Sequence, residues 1–402
     1  MGCWRMKWTA GVLGLVCTIG VGQTALAADK AKPATAQDKP KPASAQDKAK
    51  PEPDVIIFTN GDQLSGTLER GVGDSVVFKS DMAGEITVPL AKIKELRSTG
   101  SFAVLRKSRP VSRATVNTGT VTVHDNQATV AYPLEPPETL PVKDVAFVID
   151  QTTYDHELQK LPGFRYGWNG RVTAGASFVR STNNGSTFNG ALALVRAIPT
   201  VPWLPARNRT TLDVAETYGK MSEPVMPPTN PSTPDTVVKT SIFHSDAERD
   251  EYFTQRGYGL AQLAFDHNFA QGLQLSQNYG GGVGWTLVKQ PKQQLDVKGD
   301  VHYLKQQFQT PASNQNLVGS TLAEVYVHKF PRKMVFNENA ALIPAWNNVS
   351  AYAANVNGSL LMPVFKRFSF SVTAAESFLN DPATYYKKNS FVFTTGLTYA
   401  LK

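Results

Sequence analysis

Two consecutive stretches decide how this chain folds: Leu273-Gln274-Leu275-Ser276-Gln277-Asn278-Tyr279-Gly280-Gly281-Gly282-Val283-Gly284-Trp285-Thr286-Leu287 and, after a short turn, Leu295-Asp296-Val297-Lys298-Gly299-Asp300-Val301-His302-Tyr303. The odd positions are mostly apolar or aromatic. The even positions carry Gln, Ser, Asn, Gly and Thr, then Asp296, Lys298, Asp300 and His302. A strand sends alternate side chains to opposite faces, so an apolar row stands behind a polar and charged one. In a soluble sandwich the apolar row would meet a core and the charged row water. In an outer-membrane barrel the apolar row meets lipid and the charged row lines the lumen.

The pattern recurs from Tyr166 onward. Trp168, Val172, Ala174, Ala176 and Phe178 alternate with Asn169, Arg171, Thr173, Gly175 and Ser177. Tyr352, Ala354, Val356, Leu360 and Met362 alternate with Asn355, Asn357 and Ser359. The last segment sets Phe391, Phe393, Leu397, Tyr399 and Leu401 against Thr394, Gly396, Thr398 and Ala400. About twelve such strands are expected, most of about 10–15 residues, which suits tilted membrane strands better than ordinary sheets. Short basic connections (289–292, 329–333, 363–367) alternate with longer Pro-, Asn- or Asp-rich ones (220–235, 380–389). That rhythm places both ends of the barrel in the periplasm. Between 236 and 265 the residues Phe253, Tyr258, Leu260, Leu263 and Phe265 keep no single parity, so a bulge or a register change is expected there.

The N-terminus reads as a secretory signal peptide over 1–27: Arg5 and Lys7, an apolar run from Thr9 to Val21, and Ala25-Leu26-Ala27 as the cleavage site. Cys3 and Cys17 both fall inside it, so the mature chain is expected to lack disulfides and thiol chemistry. No later apolar run is long enough for a membrane helix, and a membrane-spanning mature chain would have to be a barrel. Residues 28–53 repeat Lys-Pro-Ala-rich units and are expected to form a disordered tether. Residues 54–150 carry short β signals and turns such as Asn60-Gly61-Asp62, which predict a small all-β periplasmic domain with an SH3-like or Sm-like first half. Residues 151–164 then form a linker or short helix. A hydrophobic fraction of 41% against 18% charged residues is enough to build cores. The net charge of +8 lies largely in the tether and signal, with no Arg and aromatic clustering, which argues against nucleic acid.

Asn268-Phe269-Ala270-Gln271-Gly272-Leu273, continuing to Gly280-Gly281-Gly282-Val283-Gly284-Trp285, resembles the family of unknown function numbered 481, described as salt-induced outer-membrane proteins. Trp168-Asn169-Gly170, Gly175 and Asn183-Asn184-Gly185-Ser186-Thr187 look like that family's entry strand and hairpin tip. Thr59 to Gly66 and Ala83 to Ile86 are similar to the small β domain that precedes the barrel in some members. The resemblance implies an outer-membrane β-barrel of a Gram-negative bacterium and no particular reaction. The ending Tyr399-Ala400-Leu401-Lys402 departs from the terminal aromatic that such barrels usually offer to the insertion machinery.

No two of the six histidines stand at metal-ligand spacing, and neither a nucleophile elbow nor a phosphate loop is present. No cofactor and no catalytic residue is therefore expected. Arg171, Arg209, Asp213, Asp296, Lys298, Asp300, His302, Glu324 and His328 are the candidate lumen-facing polar residues. Their mixed signs suit either an ion-paired filling or a narrow polar conduit. The primary expectation is a non-enzymatic barrel with a structural, stress-related or weakly pore-forming role. The alternatives are an outer-membrane hydrolase of lipid or peptide and a secreted cell-wall-binding β protein. The expected partners are outer-membrane lipid, the barrel-insertion machinery, and a cell-wall polymer or periplasmic protein at residues 54–150.

Overall fold

The computed structural model describes residues 52–108, 116–160, 162–180, 184–223 and 236–401. The signal-peptide reading and most of the tether lie outside these residues. No described helix is long and apolar enough to cross a membrane.

The first ten strands are β1 (Asp54–Phe58), β2 (Gln63–Val72), β3 (Ser75–Ser80), β4 (Gly84–Pro89), β5 (Ile93–Arg97), β6 (Phe102–Arg106), β7 (Thr118–His124), β8 (Gln127–Ala131), β9 (Glu138–Pro141) and β10 (Val145–Asp150). Pairing runs β1-β5-β7-β6-β10-β2, and a β1–β2 ladder closes these six strands into a ring. β3 and β4 extend one side, while β8 and β9 extend another. The β1–β2 turn forms where Gly61 takes φ +93 and the Asn60 side chain accepts from the Asp62 amide. Leu90–Lys92 makes a single 3-10 turn that leads directly into β5. β6 shows no alternation because both its faces are covered, and Phe102 to Leu105 are all buried.

One face of this ring packs Ile56, Phe78, Leu96, Val121 and Val130. The opposite face of β6 and β10 carries Ala103, Leu105, Phe147 and Ile149. Tyr154 covers it from the helical segment that follows β10. So do Val201, Trp203 and Leu204, which lie further along the chain in a turn of the second barrel. Buried Glu157 accepts from the Thr200 amide and hydroxyl, both at 2.6 Å. Residues 151–160 are thus an ordered joint rather than a free spacer.

Twelve further strands close a second, larger barrel: β11 (Trp168–Arg180), β12 (Asn184–Ile198), β13 (Asn208–Glu223), β14 (Thr236–Tyr252), β15 (Gly257–Asn268), β16 (Leu273–Lys289), β17 (Gln293–Phe308), β18 (Gln315–Lys329), β19 (Val335–Ile343), β20 (Ala353–Phe365), β21 (Phe368–Leu379) and β22 (Asn389–Ala400). Every neighbour is antiparallel, and β22 pairs back onto β11. The closing ladder runs over Arg171 to Ala174 and Leu397 to Ala400. The twelve expected strands are all present. Both termini of this barrel lie at one end, called the lower end below.

The register settles which parity faces out. Val283 and Trp285 are 62% and 46% exposed, whereas Asp296 and His302 are 2% and 4% exposed. From Leu275 to Leu287 of β16 and along β17, odd residues therefore point outward and even ones inward, as the alternation predicts. Leu273 departs from it, because register shifts at the two ends of β16 turn Leu273 and Lys289 inward, and Leu273 packs against Phe308 and Leu379. Around 257–268 no bulge is needed until Asp266. Leu263 and Phe265 face outward there, while Tyr258 and Leu260 face inward and fill the barrel. The parity fails at this point because an interior apolar residue looks the same in sequence as an exterior one.

Candidate functional site in the barrel interior

The inward face of β16 is a stripe of Gly280, Gly282 and Gly284. Missing side chains here create room for those of neighbouring strands. A Cβ on Gly284 would lie 2.2 Å from the Tyr258 ring, and one on Gly280 would lie 2.9 Å from the His302 Cβ. Long polar groups from β13, β14, β15 and β17 cross this trough and pair over it.

Three ties do so, one above another. Arg209 of β13 donates from Nε to Asp250 Oδ2 on β14 at 2.7 Å. It also donates from a terminal nitrogen to Asp296 Oδ2 on β17 at 3.2 Å. Its guanidinium sits 5.4 Å from the centre of the Tyr258 ring, a cation–π contact as well as a lid over the ring. Lys298 Nζ reaches both carboxylate oxygens of Glu248, at 2.7 and 2.8 Å. Gln262 donates to Asp300 Oδ2 at 2.7 Å, while Asp300 Oδ1 lies 2.8 Å from His302 Nδ1. The Thr321 hydroxyl is 3.2 Å from the same His302 nitrogen. Higher up, His244 bridges Asp266 and Asp246 at 2.5 and 3.0 Å. Charges buried this deeply persist because each has an opposite charge or hydrogen-bond partner.

The opposite wall differs. Its inward positions are Asn337, Asn339 and Ala341 on β19, Asn355, Asn357 and Ser359 on β20, and Arg171, Thr173 and Ser177 on β11. Asn339, Asn355, Asn357, Arg171 and Ser177 are exposed although they point inward. Water therefore reaches this side of the interior, while the β13–β17 side is filled. Lumen-facing carboxylates outnumber fixed cations. Asp213, Asp246, Glu248, Asp250, Asp266, Asp296 and Asp300 stand against Arg171, Arg209 and Lys298, with Lys289 and Lys329 at the lower rim.

Seven of the nine sequence candidates thus face inward. Arg209, Asp296, Lys298, Asp300 and His302 meet in the ties. Asp213 pairs in register with Asp246, and Arg171, exposed on β11, lies in the same row as Asp213 across Ala193. Glu324 and His328 face outward instead. Glu324 is the register partner of outward Val297, and His328 of outward Gln293. Even positions of β18 therefore face out with Leu322 and Tyr326, while Thr321 and Val325 face in. β18 carries apolar groups on both faces, so its charges were a poor guide to its phase.

Sequence reasoning missed Tyr258, Gln262, Glu248 and Asp250, because β14 and β15 mix apolar and charged residues on the inner face. The glycine stripe was the available signal: three alternating glycines imply that something lies on them. It also missed an outward contact, in which Ser241 Oγ donates to Glu216 Oε1 at 2.6 Å and stands 2.7 Å from His267 Nε2.

The family model described as "Protein of unknown function, DUF481" matches residues 172–401. Comparison with curated proteins gives no match. Among solved structures, the β domain of the Bordetella autotransporter BrkA matches with a TM-score of 0.31 at 8% identity, over 59% of this chain and 98% of that one. The transport unit of the autotransporter AIDA-I from Escherichia coli matches with a TM-score of 0.29 at 10% identity, over 62% and 96%.

Proposed function

The chain belongs to the DUF481 family, whose function is unknown, and we propose that it is a non-enzymatic bacterial outer-membrane barrel whose half-filled interior is a narrow, cation-preferring conduit. The observation that carries the conduit is the contrast between buried Asp296, Asp300 and His302 and exposed, inward-pointing Asn339, Asn355 and Asn357. A barrel packed solid would bury both walls. The acidic excess along the lumen favours cations over anions, since a ring of like charge raises the local concentration of its counter-ion.

Membrane insertion is supported by the outer wall. Trp168, Trp285, Phe368 and Tyr399 lie toward the lower end, and Phe178, Phe188, Tyr218 and Tyr303 toward the other. Aromatic residues at two levels with aliphatic ones between them match the two interfaces of a bilayer. The small β domain, attached at the lower end, would sit in the periplasm, where a cell-wall polymer or another protein could meet it. Outward Phe391, Phe393, Leu397 and Tyr399 on β22 would supply the apolar face for the insertion machinery.

Fractionation and planar-bilayer recording test this. The protein is expected in the outer-membrane fraction with heat-modifiable migration, and a soluble periplasmic pool would remove the membrane reading. Discrete conductance with a cation-biased reversal potential is expected, and Asp300→Asn, at a buried carboxylate, should weaken the bias only slightly. Silent bilayers from heat-modifiable protein would replace the conduit with a filled, structural barrel.

A further inference from the structure

Lys220 of β13 and Lys239 of β14 are register partners near the upper end of the barrel, and both are exposed. Their face is the outward one, shared with Tyr218 and Ser241 one step lower. Like charges directly opposite one another in a sheet repel, so this pairing costs stability unless an anion lies between them. The outward carboxylates Glu216 and Glu251 on the same strands are engaged elsewhere, with Ser241 and with Arg249.

Below the lysines the outer wall has a polar notch set in an aromatic belt. Glu216 holds the Ser241 hydroxyl, and His267 Nε2 lies 2.7 Å from Ser241 Oγ and 3.9 Å from Glu216 Oε2. The His267 ring stacks on Phe269, with centres 4.8 Å apart, and lies 5.6 Å from Phe243. A Ser, His and Glu set invites a hydrolytic reading, but the connections are wrong for one. Glu216 accepts from the serine instead of orienting the imidazole, so the three groups are not connected as a nucleophile, base and orienting acid. The notch instead offers fixed polar groups at headgroup depth, beneath two ammonium groups and above an apolar wall.

On the reading of this barrel as an outer-membrane protein, we propose that Lys220 and Lys239, with the Ser241–His267 notch below them, form a docking site for a phosphate-bearing lipid of the outer leaflet. The phosphate bridges the two ammonium groups, sugar or glycerol hydroxyls meet the notch, and acyl chains run down past Phe188, Tyr218 and Phe243. A point-like ammonium pair suits a phosphate, and basic side chains next to a lipid surface each add measurably to anionic-lipid binding.

The test uses the full chain in detergent micelles, with native mass spectrometry and diphosphoryl lipid A, its dephosphorylated form and inorganic phosphate as probes. Preferential retention of the phosphorylated lipid, by about 10-fold, is expected. Lys220→Gln with Lys239→Gln should abolish the preference, while Lys292→Gln, in the exposed turn between β16 and β17 at the other end, should leave it intact. Equal retention of both lipids by wild-type protein, or an unchanged preference in the double variant, would overturn the proposal. Full displacement by inorganic phosphate alone would also overturn it, by showing a site for the free anion. Each sample is run unheated and heated on a gel. Heat-modifiable wild-type protein without lipid preference defeats the lipid site alone, whereas absence of heat modification defeats the barrel reading beneath it.

Discussion

β16 and β20 are both long, antiparallel strands of one barrel, and both turn a polar face inward, yet their walls behave in opposite ways. β16 presents Gly280, Gly282 and Gly284, and β20 presents Asn355, Asn357 and Ser359. Over the glycines, side chains from β13, β14, β15 and β17 lie flat and find one another: Arg209 to Asp296, Lys298 to Glu248, Gln262 to Asp300. Over β20 each asparagine stands up by itself and meets water. Whether a barrel of this size is filled depends on where side chains are missing as much as on which charges are present.

The most severe break of that contrast is Gly284→Val. The first added atom would already fall 2.2 Å from the Tyr258 ring, and that ring is held by Arg209 above it. Overpacking of about 3 kcal/mol or more is expected, seen as loss of the heat-modifiable form. Tyr258→Ala in the same chain should restore folding in part, because it empties the space in dispute. Asn357→Val on the other wall adds apolar bulk beside water and should shift the urea midpoint by far less.

Next in size is Arg209→Met. Asp250 and Asp296 are almost fully buried and would lose their shared cation. Breaking a buried ion pair from one side costs about 3–5 kcal/mol. Equilibrium urea unfolding in micelles measures it. Arg171→Met, on the watered wall, is expected to stay within about 0.5 kcal/mol of wild type. If the two variants proved equal, the division into a filled and an open wall would fail.

This division was only partly legible in the sequence. Strict alternation in β16, β17, β20 and β22 gave away the barrel, because a wall with apolar surroundings on one side and polar ones on the other forces a period of two. The positions of Asp296, Lys298, Asp300 and His302 followed from the same period. Their partners Glu248, Asp250 and Gln262 did not, since pairing across four strands depends on register, and register is set by the lengths of distant turns. Glu324 and His328 show the reverse error. A charge is expected inside, but β18 turns these two outward with Leu322 and Tyr326. The Lys220–Lys239 pair was hidden for the same reason, because only the β13–β14 ladder makes neighbours of residues so far apart in the sequence.

The mildest perturbation bears on what the open wall does. Asn355→Lys and Asn357→Lys place positive charge in the watered half of the lumen without touching any tie across β16. Both side chains already stand in water, so folding should stay within about 0.5 kcal/mol of wild type. The reversal potential under a salt gradient should nevertheless move toward anions. It should move further than Asp300→Asn moves it, because Asp300 is buried against His302 and Gln262 and projects little of its charge into the lumen. If Asp300→Asn proved the stronger change, ions would be passing along the filled wall, and the asparagine face would be no more than hydrated lining.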